Sequence, residues 1–120
     1  LARAALEAVA YQTADLTAAM LADGAKAPAK LRVDGGMAAN DWLCQFLADV
    51  LRVEVERPAD LETTALGAAF LAGMGVGLWD GLDAVAALRA QVDCFRPQMD
   101  AAAVDALLAG WHDALRRALA

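Results

Sequence analysis

The chain has 120 residues, 60% of them hydrophobic, with a formal net charge of −6 and a pI near 4.5. That length fits one domain with ample material for a core, and the acidity argues against nucleic acid or an anionic membrane surface as partners, since both demand basic patches. No uninterrupted apolar run approaches the roughly 20 residues of a membrane span, and no basic stretch followed by an apolar one marks a signal peptide.

The sequence opens on Leu1-Ala2-Arg3-Ala4-Ala5-Leu6, inside a helical pattern and without an initiator methionine or an N-cap residue, so it is expected to be part of a longer protein. Periodicity predicts a helix over 1–22, with Leu6, Val9, Ala10, Leu16 and Met20 on one stripe and Glu7, Asp15 and Thr17 away from it. Gly24 stops it, and a loop runs to Lys30. Leu31 to Asp34 read as a short strand, Gly35-Gly36 as a turn, and 39–51 as the clearest helix. Leu43, Phe46, Leu47 and Val50 share one face of that helix, and Asp41, Gln45 and Asp49 take another.

Residues 52–56 alternate apolar and charged, as a half-buried strand does, and Pro58 ends it. Asp60 to Thr64 supply caps for a helix running to about Gly77. Its small residues Gly67, Ala68, Ala69, Ala72 and Gly73 let another element approach closely. A further helix is expected over 81–90, an extended segment over Val92 to Phe95, and a last helix over 100–119. Val104, Leu107, Leu108, Trp111 and Leu115 form the stripe of that last helix, Asp100 can cap it, and Arg116 and Arg117 complement its negative end. Strands linked by helices imply an α/β fold with parallel pairing and helices on the faces. No internal repeat, low-complexity segment or second domain is evident, so residues 1–120 read as one domain.

Cys44 and Cys94 are too few for a disulfide framework and are expected as small reduced hydrophobes in a cytoplasmic protein. His112 is the one histidine, and metal binding by it alone is not expected. Trp42, Trp79 and Trp111 are expected in the core or at a domain interface, and the Gly/Ala-rich helix as a packing device rather than a membrane dimer motif.

The chemistry concentrates at the strand–Gly-Gly–helix turn. Gly35 and Gly36 carry no Cβ, so the backbone can take φ > 0 and a ligand can come close to the main chain. The following helix aims its free N–H groups and positive dipole end at the same place. The alternative is a plain change of chain direction. Asn40 can donate and accept, which suits an adenine edge or a ribose, or it can cap its helix. Asp34 sits where open α/β sheets place ligands and either caps the turn or orients a magnesium-bound water. Glu62, Thr63 and Thr64 are read as an N-terminal cap rather than as catalytic groups.

Leu31-Arg32-Val33-Asp34-Gly35-Gly36 with Asn40, Gln45-Phe46, Ala48-Asp49 and Val55-Glu56-Arg57-Pro58 resembles the carboxy-terminal domain of the FGGY carbohydrate kinases, in their glycerol kinase branch. Glu62-Thr63-Thr64-Ala65-Leu66-Gly67-Ala68-Ala69, Leu71-Ala72-Gly73, Gly77-Leu78-Trp79, Phe95-Arg96-Pro97 and Gly110-Trp111 extend the resemblance over essentially the whole chain. Arg57-Pro58 and Glu62-Thr63-Thr64 look more like glycerol kinases than pentulose kinases. Cys44 stands where the family pattern more often has Met, a conservative change.

The resemblance implies the carboxy-terminal half of a ribonuclease H-like, actin-like ATPase unit. It also implies ATP and Mg2+ as cofactors of the full-length enzyme, with phosphorylation of glycerol to glycerol 3-phosphate. Gly36 would contact the nucleotide near its α-phosphate, Asn40 would hold the nucleoside side, and Gly35 would permit the turn. No residue here is assigned as catalytic or as a metal ligand. The base, the phosphate cradle and the glycerol contacts fall to a missing amino-terminal part, so this segment alone is expected to be inactive. A homo-oligomer is implied for the full-length protein. Another FGGY sugar kinase, or a non-catalytic interaction domain of the same fold, are the alternatives.

Overall fold

In the computed structural model, which describes residues 1–88 and 92–120, the chain runs through five helices, three strands and a 3₁₀ turn. These are α1 (Ala2–Ala22), β1 (Lys30–Arg32), the 3₁₀ turn (Gly36–Ala39), α2 (Asp41–Leu51) and β2 (Glu54–Pro58), followed by α3 (Thr63–Gly75), α4 (Leu82–Ala86), β3 (Val92–Phe95) and α5 (Ala101–Leu119).

Helix α2 is the centre of the core. Leu43, Cys44, Phe46, Leu47, Ala48 and Val50 are buried against Ala10 and Tyr11 of α1 and Val55 of β2. Leu31, Phe95, Leu107 and Trp111 close the same cluster from the sheet and α5. The Tyr11 ring stacks on Trp111 at 5.4 Å and meets Phe46 edge-on at 5.7 Å, geometries that aromatic pairs favour. Asp49 is buried despite its charge. Its Oδ1 accepts N–H bonds from Gln98 and Met99 and from the Gln45 amide, which ties the approach to α5 onto α2.

The sheet order is β1-β2-β3. β1 and β2 are parallel, with Leu31 opposite Val55, as helix-linked strands predict. The segment expected as extended over Val92 to Phe95 forms β3 and pairs antiparallel, with Val55 opposite Phe95 and Pro58 opposite Val92. The reason is topological: the excursion through α3 and α4 returns the chain to the end of β2 it left, so β3 runs back.

Several boundaries differ from the sequence expectation. β1 begins at Lys30, and its ladder ends with the Val33 N–H donating to the Glu56 carbonyl. α2 begins at Asp41 rather than 39, because Asn40 is extended (φ −86°, ψ 106°) and Gly36–Ala39 form a separate 3₁₀ turn. Arg52 is not a strand residue but the left-handed end of α2 (φ 56°). α3 stops at Gly75, and Gly77 (φ +78°) turns the chain. α4 ends at Ala86; the rest of the expected 81–90 helix reaches into residues outside those described. On α1, Leu6, Val9 and Ala10 pack inward, but Leu16 and Met20 are exposed because the second half of the helix runs past the core. Cys44 is buried as expected, whereas Cys94 is exposed on β3.

α3 stands apart, with Gly73 its one buried residue. The small-residue surface there receives Trp79. A Cβ on Gly73 would lie 2.1 Å from the Trp79 ring, which also meets Phe70 edge-on at 5.4 Å. Trp111 is half-buried in the core, and Trp42 is 39% exposed and stacks on Phe46.

Candidate functional site: the glycine turn after β1

The turn begins where β1 ends. Gly35 adopts φ +79° and ψ 175°, a region essentially restricted to glycine. Its N–H donates to the Leu61 carbonyl (3.2 Å), which pins the turn to the segment before α3. Gly36 has no such constraint. A Cβ built on it would meet no atom within 4 Å, and its N–H donates to no carbonyl among the described residues. An open glycine with a free N–H is a surface that an anionic group can approach.

Asn40 closes the turn. Its Oδ1 accepts from the Leu43 N–H (3.1 Å), a helix-capping bond, and its carbonyl accepts from the Cys44 N–H. The capping donor is a backbone N–H, so the atom facing it must be the amide oxygen. The Asn40 NH₂ is left with no protein partner among the described residues, on an exposed side chain. Capping and ligand contact are therefore compatible: one end of the amide does each. The free end can only donate, which narrows the donor-and-acceptor role expected from sequence.

Asp34 is joined to the start of α3 by a hydrogen bond from the Thr63 hydroxyl to its Oδ2. The cap expected from Glu62, Thr63 and Thr64 is made differently. Glu62 holds the N-cap position without a side-chain bond, and Asp60 Oδ1 accepts the Glu62 N–H at 2.9 Å. Asp100 likewise occupies the N-cap of α5 without a side-chain bond. Beside Asp34 a groove of about 860 Å³ opens between the outer sheet face and α3, lined by Arg32, Glu56, Thr63, Leu66 and Phe70 among others.

Two polar clusters were not singled out from sequence. On the outer sheet face Glu54, Glu56 and Cys94 bring possible metal-ligating atoms within 4.8 Å of one another. Both carboxylates already face cations, however: Arg96 and Lys30 on Glu54, Lys30 and Arg32 on Glu56. These bonds hold both carboxyls below their ordinary range and the Lys30 ammonium above its own. Three cations on two carboxylates leave no charge for a metal ion to neutralise.

The second cluster surrounds Arg57. Its guanidinium donates to Asp93 Oδ2 (2.7 Å from Nη2), to Asp41 Oδ1 (2.7 Å) and to the Ala38 carbonyl (2.9 Å), and lies 5.2 Å from the centre of the Phe95 ring. Asp93 first and Asp41 second push its pKa further up. The sequence held a signal for this. In the alternating strand, Arg57 falls on the same face as buried Val55, and a charge on a core-facing position requires partners.

The sequence profile of the FGGY family of carbohydrate kinases, C-terminal domain, matches residues 1–76. The chain belongs to this family. Its relatives include the glycerol kinase of Gluconobacter oxydans, 59% identical over 119 residues, and that of Allorhizobium ampelinum, 57% identical over 121 residues. Each alignment covers 99% of this chain but only 23% and 24% of the relative, so the chain spans about a quarter of their length. Among solved structures, glycerol kinase of Plasmodium falciparum with ADP superposes with a TM-score of 0.81 at 36% identity, over 98% of this chain and 24% of that one. Ligand-bound xylulose kinase of Lactobacillus acidophilus gives 0.74 at 27% identity, with the same coverage. The fold is thus the actin-like, ribonuclease H-like one that the resemblance implied. Among the described residues no helix is long and apolar enough to cross a membrane.

Proposed function

We propose that this chain is the nucleotide-facing, carboxy-terminal part of a glycerol kinase, which transfers the γ-phosphoryl group of MgATP to a glycerol hydroxyl and yields glycerol 3-phosphate and ADP. The observation that carries this reading is the Gly36 backbone: open, with a free N–H, and held between two anchored ends. Gly36 offers its N–H to a phosphate oxygen of the nucleotide, Asn40 donates its amide hydrogens to the nucleoside side, and Gly35 supplies the backbone geometry. Relatives at 52–59% identity bear the name glycerol kinase, which favours glycerol over the sugars of the xylulose and gluconate kinases matched at 27%. A non-catalytic module has no need of a free glycine N–H and a free amide one turn apart.

Magnesium reaches such a site with the nucleotide, where it neutralises phosphate charge. Of the acids nearest the turn, Asp41 is paired with Arg57, whereas Asp34 accepts the Thr63 hydroxyl on Oδ2 and, among the described residues, keeps Oδ1 available to orient a magnesium-bound water. Metal ligands, catalytic base and glycerol contacts belong to the part of the protein outside residues 1–120. The resemblance supports a homo-oligomeric enzyme, and the free Cys44 and Cys94 support a reducing, cytoplasmic setting.

The test is ATP titration by calorimetry on the complete protein and its Gly36→Val variant. A β-branched side chain at Gly36 stands where the phosphate approaches, while the open space around it lets the variant fold. Binding is expected to disappear; wild-type affinity in a folded variant would reduce Gly36 to a turn residue. The 120-residue chain alone, given glycerol and MgATP, is expected to release no ADP above a buffer control, because a cleft with one wall cannot align γ-phosphate and hydroxyl.

A further inference from the structure

We propose that Arg57 is a positioning residue for the nucleotide turn, setting where the Gly36 N–H and the Asn40 amide stand; this rests on the reading of that turn as a nucleotide contact. The turn is a four-residue 3₁₀ segment with an anchor on either side of Gly36. Upstream the Gly35 N–H is held by Leu61. Downstream the anchor is the Ala38 carbonyl, in a residue only 4% exposed, which accepts from Arg57 Nη1 at 2.9 Å and from the Cys44 thiol at 3.3 Å. A thiol is a weak donor, so the guanidinium is the principal restraint on that carbonyl. The same Nη1 holds Asp41, the first residue of α2, so one group fixes both sides of Asn40.

The guanidinium is itself aimed. Strand register places Arg57 opposite Asp93, and Asp93 Oδ2 takes both Nε (3.3 Å) and Nη2 (2.7 Å). The Arg57 side chain is only 14% exposed, whereas both acids lie mostly in solvent. Charge alone would not reproduce this. A lysine ammonium presents its donors from a single atom, whereas the planar fork serves Ala38, Asp41 and Asp93 in one geometry. Arg57→Lys therefore tests geometry at constant charge.

In the complete protein, Arg57→Lys should raise the nucleotide KM about 10- to 100-fold, the loss that follows a displacement of order 1 Å, and leave the glycerol KM unchanged in a coupled assay of ADP release. Asp93→Asn, which alters only a mostly exposed carboxylate, supplies a second variant that folds; its nucleotide KM should rise about 2- to 10-fold. On an Asn40→Ala background, where the nucleotide KM stays measurable, Arg57→Lys should add less than its full effect, because both act on one contact. Wild-type nucleotide KM in Arg57→Lys or Asp93→Asn, alongside an impaired Gly36→Val, overturns the positioning role and leaves the nucleotide reading standing. Nucleotide and glycerol KM rising together, or effects of Arg57→Lys and Asn40→Ala that add in full, overturn it too and assign Arg57 to the fold at large. An unimpaired Gly36→Val removes the reading on which the proposal stands.

Discussion

Asn40 is given two jobs, and the two ends of its amide allow them to be separated. Asn40→Ala removes both the cap and the outward NH₂. Loss of an N-cap acceptor costs about 1 kcal/mol, which lowers the Tm of a domain this size by roughly 3–6 °C. Loss of the nucleotide hydrogen bond costs about 1–3 kcal/mol, or roughly 5- to 150-fold in nucleotide KM. Asn40→Asp keeps an oxygen facing the Leu43 N–H and adds negative charge at the start of α2, where the helix dipole favours it. It removes the only donor and sets a carboxylate against an incoming phosphate. The expected pattern is therefore Ala losing both Tm and nucleotide affinity, and Asp keeping Tm while losing nucleotide affinity at least as severely. Melting of the 120-residue chain followed by circular dichroism, and the nucleotide KM of the complete protein from coupled ADP release, read the two effects independently. A wild-type nucleotide KM in Asn40→Asp would falsify the ligand role and leave a cap only; an unchanged Tm in Asn40→Ala would refute the cap.

The two glycines should differ in kind: Gly35→Ala forces a side chain into a glycine-only backbone region and should cost about 1–3 kcal/mol, whereas Gly36→Ala should leave the denaturant midpoint unchanged. Gly73→Ala drives a methyl into the Trp79 ring and should expel it, which indole fluorescence would report as a red shift; an unshifted spectrum would show that the ring is not seated there. Asp15 accepts from the Trp111 indole and pairs with His112, and those bonds, Trp111 first, lower its pKa. A carboxyl depressed in the folded state stabilises fully above its unfolded pKa near about 4 and loses that contribution as pH falls through the folded value. Denaturant midpoints should therefore fall less steeply below about pH 4 in Asp15→Asn than in wild type, and parallel curves would remove Asp15 from the acid response.

What the sequence made legible was periodic. The stripe of α2 and that of α5 are where 3.6-residue spacing places them, since apolar faces must be buried. Local competition was harder to read. Whether Asn40 begins a helix or caps it depends on one side-chain bond, and the answer moved the helix start by two residues. The direction of β3 depends on how two helices return the chain, which no local pattern records. Leu16 and Met20 looked like core because spacing cannot tell which stretch of a long helix has a neighbour. Of the site, the glycines and Asn40 stood out by type, while Arg57 did not, since its partners Ala38, Asp41 and Asp93 come together only through the β2–β3 register.

The uneven burial of α2 and α3 bears on how the turn opens. Amide hydrogen exchange should be slowest in α2, where seven of eleven residues are buried, and fast in α3, where only Gly73 is. The glycine turn lies on the seam between these two regions. Its Ala38 anchor belongs to the slow-exchanging side and its Leu61 anchor to the fast one. A nucleotide seated on Gly36 would thus slow exchange around residues 61–66 more than within α2, because binding can protect only what otherwise opens.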